Sequence, residues 1–213
     1  MIDKNKIKRI YDSRFMRLYD IEHREGKHYY VASRRAPERL LATTPDKDWK
    51  NVMADAVSCA VVLYIKGEEP RLLLNWEYRY PVGQYLLSVP AGLIDEEDWD
   101  NPNALEDTAK RELEEETGIV CTDQDKITIL NPLVFSTPGM TDEANALVGI
   151  AIHRDKMPSM NQNGAEETES FDGFRLLTKK EAAEHLSRGT DEHGMYYPLY
   201  TWMALMCFVS GLV

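Results

Sequence analysis

The spacing of apolar residues along the chain predicts a series of β-strands. Residues 15–35 alternate between apolar and polar side chains on either side of Glu25-Gly26, a pattern typical of a β-hairpin with a tight turn. Residues 36–54 are rich in Pro, Thr, Asp and Lys, which predicts a loop. Beyond that loop, apolar runs of strand length recur at 56–65, 71–80, 81–92, 127–135, 145–153 and 171–177.

Helices separate these strands, and the resulting order of elements predicts an α/β sandwich with a mixed sheet. Residues 102–117 form the clearest helical segment, because Asp100 or Asn101 can cap its first turn. Gly118 then provides the C-terminal stop. The two other helices are predicted over 179–187 and 199–213. The last segment has 15 residues, fewer than the roughly 20 that a membrane-spanning helix requires, so we expect a buried terminal helix.

Composition and charge argue against several classes of function. The chain has 213 residues, with 36 acidic and 25 basic side chains and a formal net charge of −11. A protein that binds a nucleic-acid backbone usually carries clustered Lys and Arg residues, so we expect no nucleic-acid partner. Three cysteines without a C-x-x-C spacing argue against a disulfide framework or a zinc site. These features favour a cytoplasmic protein that acts on a small molecule and does not associate with membranes.

A run of acidic residues lies inside the first predicted helix. Glu112, Glu115 and Glu116 are spaced i, i+3 and i+4 and therefore project from one face of a helix. Carboxylates this close repel one another, and a hard divalent cation such as Mg²⁺ or Mn²⁺ would relieve the repulsion. Arg111 stands four residues before Glu115 and can form an ion pair with it. The same run also fits a solvated acidic face, so the flanking residues must decide between the two readings.

Two stretches around this run carry a recognisable pattern. Residues 90–95 read Pro-Ala-Gly-Leu-Ile-Asp, and residues 111–119 read Arg-Glu-Leu-Glu-Glu-Glu-Thr-Gly-Ile. Together they resemble the signature of the Nudix hydrolases, G-x5-E-x7-R-E-U-x-E-E-x-G-U, in which U is a bulky aliphatic residue. Gly92 matches the first glycine, but five more residues than the signature allows separate it from the second half. The residues that compete for the place of the middle glutamate are Glu97, Asp98 and Glu106.

The resemblance implies a fold, a metal site and a reaction. It predicts a Nudix α/β/α sandwich with a mixed sheet over residues 51–213, preceded by a β-rich extension over residues 1–50. The groups that would bind Mg²⁺, or alternatively Mn²⁺, are the side chains of Glu112, Glu115 and Glu116 and the backbone carbonyl of Ala91. Arg111 and Glu115 would also belong to the catalytic machinery, which hydrolyses a nucleoside diphosphate linked to another group.

Two further stretches indicate a branch of that family. Residues 77–83 read EYRYPVG and residues 136–143 read STPGMTDE, and both resemble the ADP-ribose and ADP-sugar pyrophosphatases. In that branch a β-rich N-terminal extension is exchanged across a homodimer, which implies a homodimer here. The implied reaction is Mg²⁺-dependent hydrolysis of ADP-ribose or a related nucleotide sugar to AMP and a sugar phosphate. The alternatives are a UDP- or GDP-sugar pyrophosphatase and a catalytically silent module that senses a nucleotide.

Residues outside the helix are expected to complete the site. In the resembling branch, a glutamate in a loop after the signature often activates the water, and Glu169 is our choice for this base. Glu167 and Glu166 remain alternatives, and an ordinary acidic surface loop is the competing interpretation. The expected substrate contacts are Arg79 on the phosphates, Glu143 on the terminal ribose and Arg35 in the site of a partner subunit. A surface ion pair is the alternative role for Arg79.

Overall fold

The structure, a computed structural model, describes residues 2–165 and 168–213, which fold as two compact units. The N-terminal unit consists of Met1–Asp55 and Leu133–Asn145, and the C-terminal unit consists of Ala56–Pro132 and Ala146–Val213. The extension predicted over residues 1–50 lies within the first unit. Within that unit, the segment Leu133–Asn145 contacts residues of Met1–Asp55 that are distant from it in sequence.

The N-terminal unit contains a three-stranded antiparallel sheet in the order β1-β2-β3. Its strands are β1 (Ile7–Asp12), β2 (Arg17–Arg24) and β3 (Lys27–Ser33). The hairpin expected around Glu25-Gly26 is present as β2 and β3, whereas β1 is a third strand that the sequence pattern did not indicate. The backbone N–H of Ala32 in β3 donates to the carbonyl of Met140 at 3.0 Å, which attaches the segment 133–145 to this sheet.

A seven-stranded sheet contains the remaining strands. They are β4 (Ala56–Ile65), β5 (Arg71–Arg79), β6 (Gln84–Ser88), β7 (Ala91–Leu93), β8 (Lys126–Phe135), β9 (Ala144–Arg154) and β10 (Phe171–Thr178). The order is β10-β5-β4-β9-β8, with β6 paired to β5 and β7 paired to β4. All six of the strand runs expected after residue 55 are therefore present, and the run 81–92 forms the two short strands β6 and β7.

Three α-helices accompany this sheet: α1 (Ala104–Thr117), α2 (Lys179–Arg188) and α3 (Leu199–Ser210). Helix α1 begins two residues later than predicted, and the side chain of its N-cap residue, Asn103, makes no capping hydrogen bond to a described residue. Its end is as predicted, because Gly118 adopts a left-handed φ of +71° and its N–H donates to the carbonyl of Glu114. Among the described residues, none of the helices combines the length and apolar character needed to cross a membrane.

Successive side chains of the central strands point to opposite faces of the sheet. On one face, Val62 of β4 and Leu74 of β5 pack with Leu205 of α3 in a buried apolar cluster. On the other face, Asn75 of β5 bonds to Glu116 of α1. Helices therefore cover both faces, which confirms the predicted α/β sandwich with a mixed sheet. Because of this alternation, the polar side chain of Asn75 on β5 faces α1, the helix that carries the glutamates.

A buried carboxylate, Asp125, ties the segment after α1 to the end of β9. Its Oδ2 accepts from the backbone N–H of Thr122 at 2.7 Å, and its Oδ1 accepts from the N–H of His153 at 2.8 Å and from Arg154 at 2.7 Å. Only 1% of the Asp125 side chain is exposed. Burial raises the pKa of this carboxyl, but the hydrogen bonds, chiefly from Arg154, lower it to about 2.

We expect Asp125→Asn to lower the free energy of unfolding by about 2 kcal/mol at neutral pH. A carboxyl whose pKa is lower in the folded state stabilises above its unfolded value of 3.8, and this contribution is lost as the pH falls toward 2. The difference in free energy of unfolding between Asp125→Asn and wild type, measured in urea, should therefore become smaller below pH 4. The control variant Asp123→Asn, at an exposed neighbouring position, should show no such dependence on pH. A difference that stays constant with pH contradicts this account.

Candidate active site

Helix α1 presents three glutamates along one side, as the sequence predicted. Glu112 and Glu116 are buried, with 6% and 2% of their surface exposed, and the Glu115 side chain is 37% exposed. The apolar side of the same helix is pinned by Ala109 and Leu113, both fully buried. The three carboxylates therefore lie at the border between the core and the solvent, and Glu115 is the most exposed of them.

Groups on the sheet hold Glu116 from two directions. The Asn75 side-chain amide on β5 donates to Glu116 Oε2 at 2.5 Å, and the Ala91 N–H on β7 donates to Glu116 Oε1 at 3.1 Å. Two charge-assisted bonds restrict this carboxylate to one orientation. Sequence reasoning missed Asn75, although a polar residue inside the apolar run RLLLNWEYR was a detectable signal.

Arg111 links the two remaining glutamates of the helix. Its Nη1 lies 2.8 Å from Glu112 Oε1 and 2.9 Å from Glu115 Oε2, so the expected i,i+4 ion pair is present. Its Nη2 donates to the carbonyl of Leu93 at 2.9 Å, which fixes the guanidinium at the end of β7. Arg111 therefore places a positive charge between two carboxylates that would otherwise repel each other.

Gly92 provides the space that Glu112 occupies. A Cβ atom at residue 92 would overlap the carboxylate group of Glu112, whose oxygens and carbon are its nearest neighbours. Any side chain at this position must therefore displace Glu112 from its place beside β7. Glycine at position 92 thus allows the Glu112 carboxylate to lie close to the backbone of β7.

Crowding and burial disturb the ionisation of this cluster. Burial raises the pKa of Glu112 to about 7, and the attraction of Arg111 only partly offsets that rise. Burial also raises the pKa of Glu116 well above its usual range, against the lowering effect of the Ala91 amide. Such displaced values result when carboxylates are buried close together, and they mark functional sites more often than structural ones.

The predicted base, Glu169, lies in the segment between β9 and β10. Its negative charge is one of the lesser causes that raise the pKa of Glu112 and of Glu116. Its role as the base stays a prediction, and the alternatives Glu166 and Glu167 lie outside the described residues.

Strand β5 contributes an ion pair at the same face. Arg79 Nη2 lies 2.6 Å from Glu77 Oε2, and Glu77 is largely buried. Burial raises the pKa of Glu77, which also feels the charge of Glu169. Sequence reasoning singled out Arg79 but not Glu77, which follows Asn75 by two residues and therefore lies on the same face of the strand.

The other two predicted substrate contacts belong to the N-terminal unit. There, Glu143 pairs with Arg34 at 2.6 Å. Arg35 is 6% exposed and pairs with the buried carboxylate of Asp55 at 2.8 Å. Arg35 thus has a partner within its own unit, and its assignment to a substrate stays a prediction, as does that of Glu143.

Comparison with known proteins identifies the family of the chain. The NUDIX domain family matches residues 55–200, well over half of the sequence. The chain belongs to the Nudix family. The resemblance inferred from the stretches 90–95 and 111–119 is thereby confirmed.

Three relatives illustrate the extent of the similarity within the Nudix family. The ADP-sugar pyrophosphatase of Mus musculus is 36% identical over 106 residues, covering 50% of this chain and 44% of the mouse protein. The ADP-ribose pyrophosphatase of Saccharomyces cerevisiae is 36% identical over 100 residues, covering 46% of this chain and 39% of the yeast protein. An uncharacterized Nudix hydrolase of Schizosaccharomyces pombe is 31% identical over 123 residues, 57% of this chain and 55% of that protein. The matched region therefore spans roughly half the length of these curated relatives.

A solved structure shares the fold. The crystal structure of an ADP compounds hydrolase superposes with a TM-score of 0.59, covering 97% of this chain and 92% of that chain at 17% sequence identity. At this level of identity the likeness establishes the Nudix fold alone, and it agrees with the sandwich of helices and mixed sheet described above.

Nudix hydrolases generally use divalent metal ions, and the donor chemistry of this site fits one. Glu112, Glu115 and Glu116 offer hard carboxylate oxygens, the ligands that Mg²⁺ and Mn²⁺ prefer. Burial, with a smaller contribution from neighbouring carboxylates, raises the pKa of Glu112 and of Glu116, and a divalent cation would favour their charged forms. Within residues 2–165 and 168–213, no three acidic, His or Cys side chains are already arranged around a metal position. Arg111 pairs with Glu112 and Glu115 in this structure.

We expect Gly92→Ala to weaken Mn²⁺ binding about tenfold or more, because the added methyl group displaces the Glu112 carboxylate. Mn²⁺ affinity can be measured by electron paramagnetic resonance, with circular dichroism to verify folding. Leu93→Ala is the matched control, since Leu93 is an exposed neighbour that contacts Arg111 through its backbone carbonyl. Wild-type affinity in a folded Gly92→Ala protein would remove Glu112 from the metal site.

Proposed function

We propose that this Nudix protein hydrolyses the pyrophosphate bond of ADP-ribose or a related nucleoside diphosphate sugar in a Mg²⁺-dependent reaction. The products are AMP and a sugar phosphate, which is ribose 5-phosphate when ADP-ribose is the substrate. The observation that carries the proposal is the carboxylate cluster of α1, in which Glu116 is held from β5 and β7 and Arg111 lies between Glu112 and Glu115. A merely solvated acidic helix face has no need of such an arrangement.

The choice of substrate class rests on the relatives. Both named pyrophosphatases that this chain resembles act, by their names, on ADP-ribose or ADP-sugars. The two stretches that resemble this branch, 77–83 and 136–143, lie outside the signature itself and therefore support the branch independently of the metal site. Neither stretch fixes the sugar, so a UDP- or GDP-sugar remains the alternative outcome of a substrate test.

The residues of the chain divide the work of the reaction between them. We assign Glu112, Glu115, Glu116 and the Ala91 carbonyl to metal binding. Mg²⁺, when bound, would neutralise the charge that develops on the phosphates. A water oxygen forms a bond to one phosphorus while the bond from that phosphorus to the bridging oxygen breaks. Glu169, with Glu167 and Glu166 as the alternatives, accepts the proton that the water loses.

The cationic side chains have separate roles in this proposal. Arg111 orients Glu115 through their ion pair, so its catalytic contribution is to position that carboxylate. Arg79 is 41% exposed at the end of β5, and its planar guanidinium suits a phosphate group. Glu77 holds Arg79 from the buried side and leaves its exposed side available to the substrate.

We also propose that the chain forms a homodimer through its N-terminal unit. The three-stranded sheet and its connections leave several large apolar side chains exposed, and exposed apolar surface favours a protein partner. These exposed residues are Ile10, Tyr11, Phe15, Met16, Tyr29 and Tyr30. The roles proposed for Glu143 on the ribose and for Arg35 in a partner's site belong to this arrangement. A cytoplasmic location is consistent with the three unpaired cysteines.

Turnover of a panel of nucleotide sugars tests the catalytic proposal. We expect Mg²⁺-dependent hydrolysis that is fastest with ADP-ribose when ADP-ribose, ADP-glucose, UDP-glucose and GDP-mannose are compared in a phosphatase-coupled assay. Glu115→Gln should lower kcat by about 100-fold or more, because it removes a carboxylate that binds metal or accepts a proton. Glu114→Gln, at an exposed neighbouring position, should leave kcat unchanged.

The outcomes of that assay separate the alternatives. Preference for a UDP- or GDP-sugar would reassign the branch and retain the metal site. Full activity of Glu115→Gln would remove Glu115 from the site. Binding of nucleotide without any turnover would favour the silent sensing module.

Sedimentation analysis tests the dimer. We expect the wild type to be a dimer and the double variant Phe15→Asp/Tyr30→Asp to be a monomer, because two charges would be buried in the proposed interface. Tyr196→Asp, at a 77% exposed position of the C-terminal unit, is the control and should stay dimeric. A monomeric wild type, or a dimeric double variant, contradicts the proposal.

A further inference from the structure

Asn75 is a fully buried amide in the middle of an apolar strand. The three residues before it on β5, at positions 72–74, are leucines that are buried as well. Asn75 lies opposite Phe174 of β10 on one side and Ser88 of β6 on the other, so its backbone is held between two neighbouring strands. Burying an amide among apolar side chains costs free energy unless its polar atoms form hydrogen bonds. Asn75 therefore requires a polar partner inside the fold.

The described residues use only the donor half of this amide. Its Nδ2 donates to Glu116 Oε2 at 2.5 Å, a short hydrogen bond to a carboxylate. Its Oδ1 is buried and accepts no hydrogen bond from any residue that the structure describes. A buried polar atom without a partner is unusual in a folded protein, and such local costs are typical of functional positions. The bond to Glu116 is thus the contact that accounts for an amide at this position.

This bond determines the rotation of the Glu116 carboxylate. The backbone N–H of Ala91 donates to Oε1 at 3.1 Å, but a carboxylate held at one oxygen can still rotate about its terminal bond, whose torsion is broad. The donor from Asn75 holds the second oxygen and removes that freedom. Only 2% of Glu116 is exposed, so water has little access to replace either donor.

The other two glutamates of α1 are held in a different way. Glu112 and Glu115 share one donor, Nη1 of Arg111, at 2.8 and 2.9 Å. The long side chain of Arg111 has several rotatable bonds, so these two carboxylates can shift together with it. A shift of Glu116, by contrast, would break its bonds to two strands of the sheet. Among the three glutamates, Glu116 is therefore the one whose position is fixed by the sheet.

A carboxylate in a fixed position favours some divalent cations over others. Mg²⁺ requires a nearly ideal octahedron of oxygen atoms at about 2.0–2.1 Å, whereas Ca²⁺ accepts about six to eight oxygens at about 2.3–2.6 Å in flexible arrangements. Restricting a ligand to one plane therefore assists the binding of Mg²⁺ more than that of Ca²⁺. Groups that orient a metal ligand are known to change metal affinity by about 10- to 100-fold when they are removed.

We propose that Asn75 is a positioning residue that determines cation selectivity: by fixing the plane of the Glu116 carboxylate, it favours Mg²⁺ over Ca²⁺. The inference rests on the proposed function for the role of Glu116 as a metal ligand, but the selectivity can be measured without turnover. Asn75 touches neither the substrate nor the metal in this scheme and acts through Glu116.

The variant Asn75→Leu tests the inference, because leucine has a similar shape but no hydrogen-bonding group. We expect Mg²⁺ affinity to fall about tenfold or more and Ca²⁺ affinity to stay within about twofold of wild type. Both affinities can be measured from the displacement of Mn²⁺, followed by electron paramagnetic resonance. Asn75→Ala removes the same amide without adding bulk and should show the same change in selectivity.

Thr201→Val is the matched control. It also replaces a fully buried polar side chain by an apolar one, but in α3, which packs on the opposite face of the sheet. It should keep wild-type affinities for both cations, and thermal unfolding should show that the variants fold.

A double-mutant cycle with Glu116→Gln determines whether Asn75 acts through Glu116. Asn75→Leu should lower the ratio of Mg²⁺ affinity to Ca²⁺ affinity in the wild-type background but leave it unchanged in the Glu116→Gln background. A purely structural role for Asn75 predicts the same effect in both backgrounds.

These measurements separate failure of the inference from failure of the proposed function. An unchanged affinity ratio in folded Asn75→Leu and Asn75→Ala, equal losses for both cations, or an effect that persists in Glu116→Gln would overturn the role of Asn75 even in an active enzyme. A wild type that binds Mg²⁺ but hydrolyses no nucleotide sugar would overturn the proposed function, and the affinity ratios would still decide the inference. A wild type that binds neither cation would overturn the inference.

Discussion

The crowding of carboxylates on the inner side of α1 is the constraint on which the rest of this site depends. Two of them, Glu112 and Glu116, are buried next to a sheet, where like charges repel strongly and water cannot screen them. Amide donors from β5 and β7 offset this repulsion at Glu116, and the guanidinium of Arg111 offsets it between Glu112 and Glu115. These groups come from β5, β7 and α1, so the geometry of the site requires the C-terminal unit to be folded.

The apolar cluster between α3 and the sheet stabilises the fold against the cost of burying these carboxylates. Leu205 and Phe208 of α3 pack with the strands on the face of the sheet that the glutamates do not use. Burying a side chain of this kind contributes roughly 1.5–3 kcal/mol, and several such residues offset the cost of burying charge on the opposite face. Alternate side chains of β4 and β5 therefore face opposite sides of the sheet. One set packs in the apolar core, and the other set lies on the side of the carboxylates.

Local patterns in the sequence predicted most helices and strands, but they could not predict contacts between residues that are distant in sequence. The i, i+3, i+4 spacing of Glu112, Glu115 and Glu116 required a shared face on any helix, and the ion pair of Arg111 followed from the same geometry. By contrast, the local sequence marks Asn75 only as a polar residue in an apolar run, and its partner Glu116 is known only from the packing of β5 against α1. The same holds for residues 133–145, which join the N-terminal unit through a bond between Ala32 and Met140. The sequence assigned Arg35 to the site of a partner subunit, and only the fold shows that Asp55 is its buried partner.

The close approach of Glu112 to Gly92 has a consequence for how this chain can change over evolutionary time. The two positions are separated by an entire loop and most of a helix, yet they behave as a single site for mutation, because the volume absent from one is occupied by the other. A side chain at 92 would displace the Glu112 carboxylate from its place beside β7, and a shorter residue at 112 would remove that carboxylate altogether. Libraries that aim to alter the enzyme should therefore vary the two positions jointly or leave both untouched.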